Sequence, residues 1–241
     1  MRYEKIKEAV FLSRPNRFIA EVIVDGVKQR VHVRNTGRCR ELLKEGGSVY
    51  LEDHGEESKA RKTRYSLIAV RKDQADGSEN GILVNIDSIA PNRIAGEALA
   101  SGKLDLPGLD FPLSRIKAET VCGESRFDFY LEDREGKKAF VEVKGVTLEQ
   151  DGTARFPDAP TERGMKHIRE LCKAVEDGYA AYILFVIQMN GVAFFEPNDQ
   201  THPAFGEALR EANKRGVIVL AYDCDVAAGS LSLGKPVPVR L

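Results

Sequence analysis

The sequence predicts a two-domain α+β protein: an OB-type β-barrel over residues 1–90, then an α/β domain with a mixed sheet over residues 91–241. Three observations carry this prediction. The first 90 residues hold short runs rich in β-branched side chains, separated by turn residues. The remainder alternates strand-like and helix-like segments. The Gly/Pro-punctuated stretch "LDLPGLDFPLS" (residues 104–114) connects the halves and marks a change of pattern.

In chain order, "RFIAEVIV" and "VKQRVHVR" flank Asp25-Gly26, the strongest short-range hairpin signal. "RELLKEGG" reads as a short helix stopped at Gly46. "SVYLEDH", "RYSLIAVRK" and "ILVNIDS" supply three more strands, and five strands with one short helix suit a small closed barrel. "NRIAGEALASGK" is helical. The strands "RFDFYLED", "KAFVEVKG", "AAYILFVIQM", "VAFFEP" and "VIVLAYD" follow. A helix over about 161–177 lines up Met165, Ile168, Leu171, Cys172 and Val175 as one apolar stripe, with Thr161 to cap its start and Gly178 its end. "PAFGEALREANKRG" gives a further helix. "YILFVI" is apolar on both faces, as in a central strand covered on both sides.

Hydrophobic residues are 42% of the chain and charged residues 30%, a balance that supports a folded core in a soluble protein. No apolar run reaches membrane-spanning length, and the opening residues lack the apolar centre of a signal peptide, so the expected place is the cytoplasm, with no membrane partner. Cys39, Cys122, Cys172 and Cys224 are scattered without a C-x-x-C pair, which argues against a disulfide framework or a zinc site. The net charge of −1 conceals a basic first part and an acidic remainder. Arg14, Arg17, Lys28, Arg30, Arg34, Arg38 and Arg40 face only Glu21 and Asp25 within residues 14–40. Two readings stay open: a surface for an anionic partner, or a solvated face.

The chemistry concentrates in "FDFYLED" and "AFVEVKG" (residues 127–133 and 139–145). On a strand alternate residues share a face, so Glu142 and Lys144 point one way and Val141 and Val143 the other. If Asp128 reaches the same side, two carboxylates repel until one protonates or a cation intervenes. Mg²⁺ or Mn²⁺ suits a few carboxylate oxygens plus water, and Lys144 can orient water or neutralise charge at phosphorus. The alternative is an ion cluster on an exposed sheet face. In the following helix, Arg163 and Lys166 lie one turn apart and can face the same site or a phosphate. His167 alone reads as a packed or surface histidine.

The stretches "RNTGRCRELL", "RKTRYSL", "VNIDS…PNR", "SRFDFYL", "FVEVKGVTL" and "FPDAPTERGMKHIREL" follow one another in an order and spacing that resemble the sugar fermentation stimulation protein family over nearly the whole chain. The resemblance implies an N-terminal OB barrel and a C-terminal restriction-endonuclease-like fold of the PD-(D/E)xK type. It implies DNA binding and a link to regulation of sugar metabolism, especially of maltose. The nuclease motif falls on Asp128, Glu142 and Lys144, and Glu119 is the candidate upstream acid, giving Asp128, Glu142 and Glu119 as expected metal ligands. The chain departs from the family's usual pattern at Arg34 and Cys39 (usually Pro and Met, flanking Asn-Thr-Gly-Arg), at Gly145 (usually Ser), and at Pro91 and Ile94 (usually Ala and Leu).

"RNTGR" reads as a turn before a helix, or as a phosphate-binding loop in which Arg34, Asn35, Arg38 and Arg40, with Arg17 nearby, meet nucleic acid. Three functional readings follow: a Mg²⁺- or Mn²⁺-dependent nuclease acting on DNA or RNA, a DNA-binding regulator that retains a nuclease-like fold without using it, or a metabolic protein that binds another anion.

Overall fold

The computed structural model describes the chain apart from residues 36, 56–60 and 74–80. The N-terminal part contains β1 (Ile6–Asn16), β2 (Ile19–Val24), β3 (Val27–Val33), β4 (Ser48–Asp53), β5 (Tyr65–Lys72) and β6 (Ile82–Asn85). They form one sheet in the order β3-β2-β1-β4-β5-β6, and a parallel pairing of β3 with β5 closes the first five into a barrel. Alternation builds its interior: Ala20, Val22 and Val24 of β2, with Val31 and Val33 of β3, point inward and are buried. At the tip of the β2–β3 hairpin, Asp25 and Gly26 both have positive φ (50° and 77°), which matches the right-handed twist of the strands.

Two local expectations need correction. β1 is a strand that the residue pattern did not announce. Only Ala9 and Phe11 of its residues are fully buried, and irregularities between Phe11 and Ser13 and between Ser13 and Asn16 break its register with β2. The expected helix at 38–45 is a series of turns instead. Phe11 pairs with this segment through its backbone, donating to Gly47 O at 2.9 Å and accepting from Gly46 N at 2.9 Å. A single turn cannot offset the cost of helix nucleation, so these tertiary bonds prevail. Leu42 is nonetheless buried in the barrel core.

The C-terminal part begins with α1 (Ala90–Ser101). It continues through β7 (Arg115–Cys122), β8 (Ser125–Glu132), β9 (Lys138–Val146), β10 (Leu148–Gln150), β11 (Thr153–Phe156), α2 (Glu162–Glu176), β12 (Ala180–Ile187), β13 (Phe194–Pro197), α3 (Pro203–Lys214), β14 (Ile218–Ala227) and β15 (Ser230–Pro236). The main sheet runs β15-β14-β12-β9-β8-β7. β12 is parallel to both β9 and β14, while the outer pairings are antiparallel, which makes the sheet mixed. A small second sheet, β10-β11-β13, lies beside it. Edge strands β7 and β15 lack a clear strand pattern in the sequence; most of β7 is exposed and carries no burial alternation.

β12 is covered on both faces. Tyr182, Leu184 and Val186 join the cluster under α1, whereas Ala181, Ile183, Phe185 and Ile187 join the one under α2. Thr161 caps α2 by accepting from Gly164 N at 3.0 Å. The buried residues beneath α2 form one continuous cluster with the barrel interior.

A buried polar network joins barrel and sheet. Asn85 N donates to Gln188 O at 2.9 Å, and Gln188 Nε2 donates to Asn85 Oδ1 at 2.9 Å and to Asp87 O at 3.0 Å. Asn85 Nδ2 donates to the Tyr3 hydroxyl at 3.0 Å, and Arg34 pairs with Asp87 at 3.0 Å. Farther out, the Lys72 ammonium bonds both the carboxylate and the carbonyl of Glu149.

Gly145 lies against this junction. A Cβ there would fall 2.7 Å from Gln188 Oε1 and 2.7 Å from Pro91 Cγ. Two of the departures from the resembling family's pattern are therefore neighbours, and the absence of a side chain at 145 makes room for the ring at 91. Gly145→Ser should destabilise the protein by about 1–3 kcal/mol through overpacking. Pro91→Ala should recover the part of that loss that comes from the ring when combined with it, leaving the part that comes from Gln188, a coupling that urea unfolding of the double-mutant cycle measures. Additive losses would show that Pro91 is not the obstacle.

Candidate functional site

Where β8 and β9 part, the ladder gives way to side chains. Their backbone pairing runs from Glu132↔Lys138 to Phe129↔Val141 and stops there. Beyond it, Asp128 Oδ2 accepts from the Val143 amide at 2.7 Å. Asp128 Oδ1 accepts from Asn92 Nδ2 of α1 at 2.6 Å. One carboxylate thus satisfies a strand amide and ties the first turns of α1 to the sheet.

Glu142 is 2% exposed. Its Oε1 accepts from Lys144 Nζ at 2.6 Å and also bonds His167 Nδ1 from α2. Its Oε2 is buried and has no hydrogen-bond partner. Burial raises the affinity of Asp128 for its proton, and the charge of Glu142 raises it further, against the donors Val143 and Asn92 and the charge of Lys144. Burial acts upward on Glu142 too, but the bonds from His167 and Lys144 outweigh it and hold its carboxyl below the ordinary value. The two carboxylates are driven apart: Glu142 carries the charge while Asp128 resists ionisation.

Asp128, Glu142 and Lys144 therefore share one place. Glu119 does not join them. Its backbone has positive φ (51°) on edge strand β7, and its side chain is exposed, 3.5 Å from Arg126. Among the described residues, no group of three or more His, Cys, Asp or Glu side chains could hold a metal ion. Mg²⁺ commonly binds through one or two carboxylates plus water, so the pair Asp128–Glu142, with a free oxygen on Glu142, suits such an ion without a third acid.

The basic residues divide into two kinds. Arg34 is half-buried and committed internally, 3.2 Å from Glu52 and 3.0 Å from Asp87. Asn35 pins its own loop, with Nδ2 donating to Ile86 O at 2.9 Å and Oδ1 accepting from Gly37 N at 2.7 Å. Arg14 organises the same loop by donating to the carbonyls of Arg17, Asn35, Gly37 and Arg38. Thr36 lies outside the described residues. By contrast Arg17, Arg38 and Arg40 are exposed and line a concavity of about 510 Å³ on the barrel. A second cleft, of about 300 Å³, separates Asn35 and Gly37 from the end of β9 and the start of β10 (Gly145, Val146, Thr147 and Leu148); Gln188, Arg155 and Asp158 also line it. Gly37 borders both cavities, so the exposed arginines lead towards the strand that carries Lys144. On α2, Lys166 donates to Glu124 O at 3.0 Å, and Arg163 Nε donates to His167 Nε2 at 3.4 Å.

Asn92 and His167 also contact the cluster, through Asp128 and Glu142, although strand periodicity does not point to them. Both come from helices, and their approach to β8 and β9 depends on how those helices pack. The signals available were their places within "PNR" and "GMKHIREL", beside an otherwise apolar stripe.

Barrel, mixed sheet and acidic–lysine cluster define a two-domain protein with an OB barrel and a restriction-endonuclease-like domain. The family model for the SfsA N-terminal OB domain matches residues 12–86, and that for the sugar fermentation stimulation protein RE domain matches residues 89–230. The chain belongs to the sugar fermentation stimulation protein family. It is 51% identical over 241 residues to a homolog from Desulfitobacterium hafniense strain Y51, covering 100% of this chain and 99% of that one. It is 48% identical over 241 residues to a homolog from Ruminiclostridium cellulolyticum, covering 100% of each. Among solved structures, SfsA of Pyrococcus furiosus in complex with Ca²⁺ superposes with a TM-score of 0.84 at 29% identity, over 100% of this chain and 98% of that one.

The electrostatics of Asp128 generate a prediction. Its raised folded-state value means that its favourable contribution is present below about pH 4 and is lost as pH rises through the folded value. In EDTA at pH 7, Asp128→Asn should therefore melt above wild type, with the exposed Asn92 amide turning to accept from the new amide. The gap should close as the pH falls towards 4. Circular dichroism melts at the two pH values test this, and a wild type that melts higher at pH 7 would refute an unfavourable ionisation of Asp128 by burial and by the charge of Glu142.

Proposed function

We propose that this protein hydrolyses phosphodiester bonds of nucleic acid, DNA in the first place and RNA in the second, with Mg²⁺ or Mn²⁺ held by Asp128 and Glu142. The observation that carries this reading is the buried Glu142 Oε2, which lacks a partner beside a second carboxylate that resists ionisation. Burying an unpaired carboxylate oxygen is unfavourable unless a ligand completes it. The Ca²⁺ complex of the Pyrococcus furiosus relative is consistent with a divalent cation in this family. When bound, such an ion supplies Lewis acidity towards a phosphate oxygen and a water of lowered pKa.

The chain's own residues have separable tasks. Lys144 donates one N–H hydrogen bond to Glu142, and its other two N–H groups remain for a phosphate oxygen or the attacking water. Asn92 holds Asp128 in place. Arg17, Arg38 and Arg40 bind phosphates along the barrel, with Arg163 and Lys166 as further cations near the site. Arg34 and Asn35 support the loop rather than the ligand.

A second reading is a DNA-binding regulator whose nuclease-like site is unused. The Lys144–Glu142 pairing and the outward position of Glu119 favour it. Incubating labelled DNA and RNA with the protein, in Mg²⁺, Mn²⁺ or EDTA, separates the two. The nuclease reading expects cation-dependent cleavage and a Lys144→Ala rate lower by about 10²–10³, the usual loss of one electrostatic stabiliser. Binding without cleavage under every cation would leave the regulator.

On either reading, binding rests on phosphate contacts. Replacing Arg38 and Arg40 together by Ala should weaken binding about equally for all sequences and flatten the salt dependence by about two counterions. A salt slope equal to that of wild type would remove these residues from the interface.

A further inference from the structure

His167 lies between two site elements and has a defined proton arrangement. Arginine is only a donor, so the His167 Nε2 that faces Arg163 Nε at 3.4 Å is an acceptor. The ring proton is then on Nδ1, which donates to Glu142 Oε1. Lys144 donates to that same oxygen. Oε1 therefore has two donors and Oε2 has none, although both belong to a carboxylate that could otherwise rotate. The His167 ring itself is held, buried and edge-on to Phe127 with centroids 6.4 Å apart.

We propose that His167 is a positioning residue: by holding Glu142 Oε1 from α2, it keeps Oε2 free and turned to the place of a divalent cation. This inference rests on the cation reading of Asp128 and Glu142. The role differs from ligation, because the His167 nitrogens are already engaged, one by Glu142 and one by Arg163. It also gives a reason for a buried histidine on the inward face of α2: the helix presents one donor to an acid in the sheet. Arg163 then acts one step further back, fixing which nitrogen of His167 carries the proton. Partners that orient a ligating carboxylate in this way are typically worth about 10–100-fold in metal affinity.

Two substitutions divide orientation from packing. His167→Phe keeps a ring beside Phe127 but removes the donor. His167→Asn loses ring volume but places an amide N–H near the position of Nδ1. Mn²⁺ affinity is measured by isothermal titration calorimetry on the full chain, with a thermal melt in EDTA to establish that each variant is folded. The expected result is a dissociation constant raised about 10–100-fold by Phe and near the wild-type value for Asn. The opposite order, Phe like wild type and Asn weak, would mean that the ring only fills space and would overturn the inference while leaving the cation reading intact. Equal loss in both variants would also overturn it. If His167→Phe does not fold, His167→Gln replaces it: its amide reaches the Nε2 position and leaves Oε1 short of a donor, so Gln should bind weakly where Asn binds well, and equal affinities would overturn the inference. Wild-type protein that takes up no Mn²⁺ would refute the cation reading itself.

Discussion

Glu142 lies on the covered face of β9, two residues from the buried Phe140, and a lone carboxylate in that position would be protonated or expelled. It remains charged because Lys144 on its own strand and His167 on α2 both donate to it. That requirement constrains the surroundings. α2 must pack so that His167 meets the middle of the sheet, which fixes the helix along its axis. β8 must stop pairing with β9 one residue before Asp128, so that the Val143 amide is left to the Asp128 carboxylate. The parting of two strands and the docking of a helix are both consequences of one buried charge. Removing one member of such a buried set is usually far more disruptive than removing an exposed ion pair.

A second polar cluster plays the same part at the domain junction. Arg34 and Asp87 come from barrel segments, Tyr3 from the opening residues and Gln188 from the end of β12, and hydrogen bonds run through all of them with Asn85 at the centre. Burial and the charge of Asp87 raise the Tyr3 hydroxyl well above its ordinary value, so it remains a neutral donor within the cluster. Directional bonds of this kind fix the angle between the two parts more narrowly than the continuous apolar packing beside them. The cleft between the Asn35–Gly37 loop and Gly145–Leu148 inherits its width from that angle.

What the sequence disclosed follows from the range of each interaction. The β2–β3 hairpin depends on Asp25-Gly26 and its flanking alternation, so it was visible locally. The face shared by Glu142 and Lys144 needs only strand periodicity, and the stripe and cap of α2 need only helical periodicity. β1, β7 and the segment at 38–47 depend on distant partners: bulged pairing, an exposed edge, and backbone bonds to Phe11. The same distinction governs the site. Asp128 was legible beside Glu142, while Asn92 and His167 reach them only through helix packing. Arg34 read as a phosphate ligand because a count of charges does not reveal that Glu52 and Asp87 already hold it. Glu119 read as an acid for the site because nothing in its local pattern shows that β7 turns it outward.

Pro91 and Gly145 extend this argument to the scaffold around the cluster. Pro91 immediately precedes Asn92, which holds Asp128, and Gly145 immediately follows Lys144. A side chain placed at 145 alone would fall 2.7 Å from Pro91 Cγ and 2.7 Å from Gln188 Oε1 and press on both. That pressure would pass directly to a residue of the acidic cluster, by displacing the first turn of α1 or the end of β9. A ring on one side is matched here by a bare backbone on the other. That fit helps set the spacing of the polar atoms of Asn92, Asp128, Glu142 and Lys144. In this chain the close-packed neighbours of the cluster, as much as the charged residues themselves, hold its geometry.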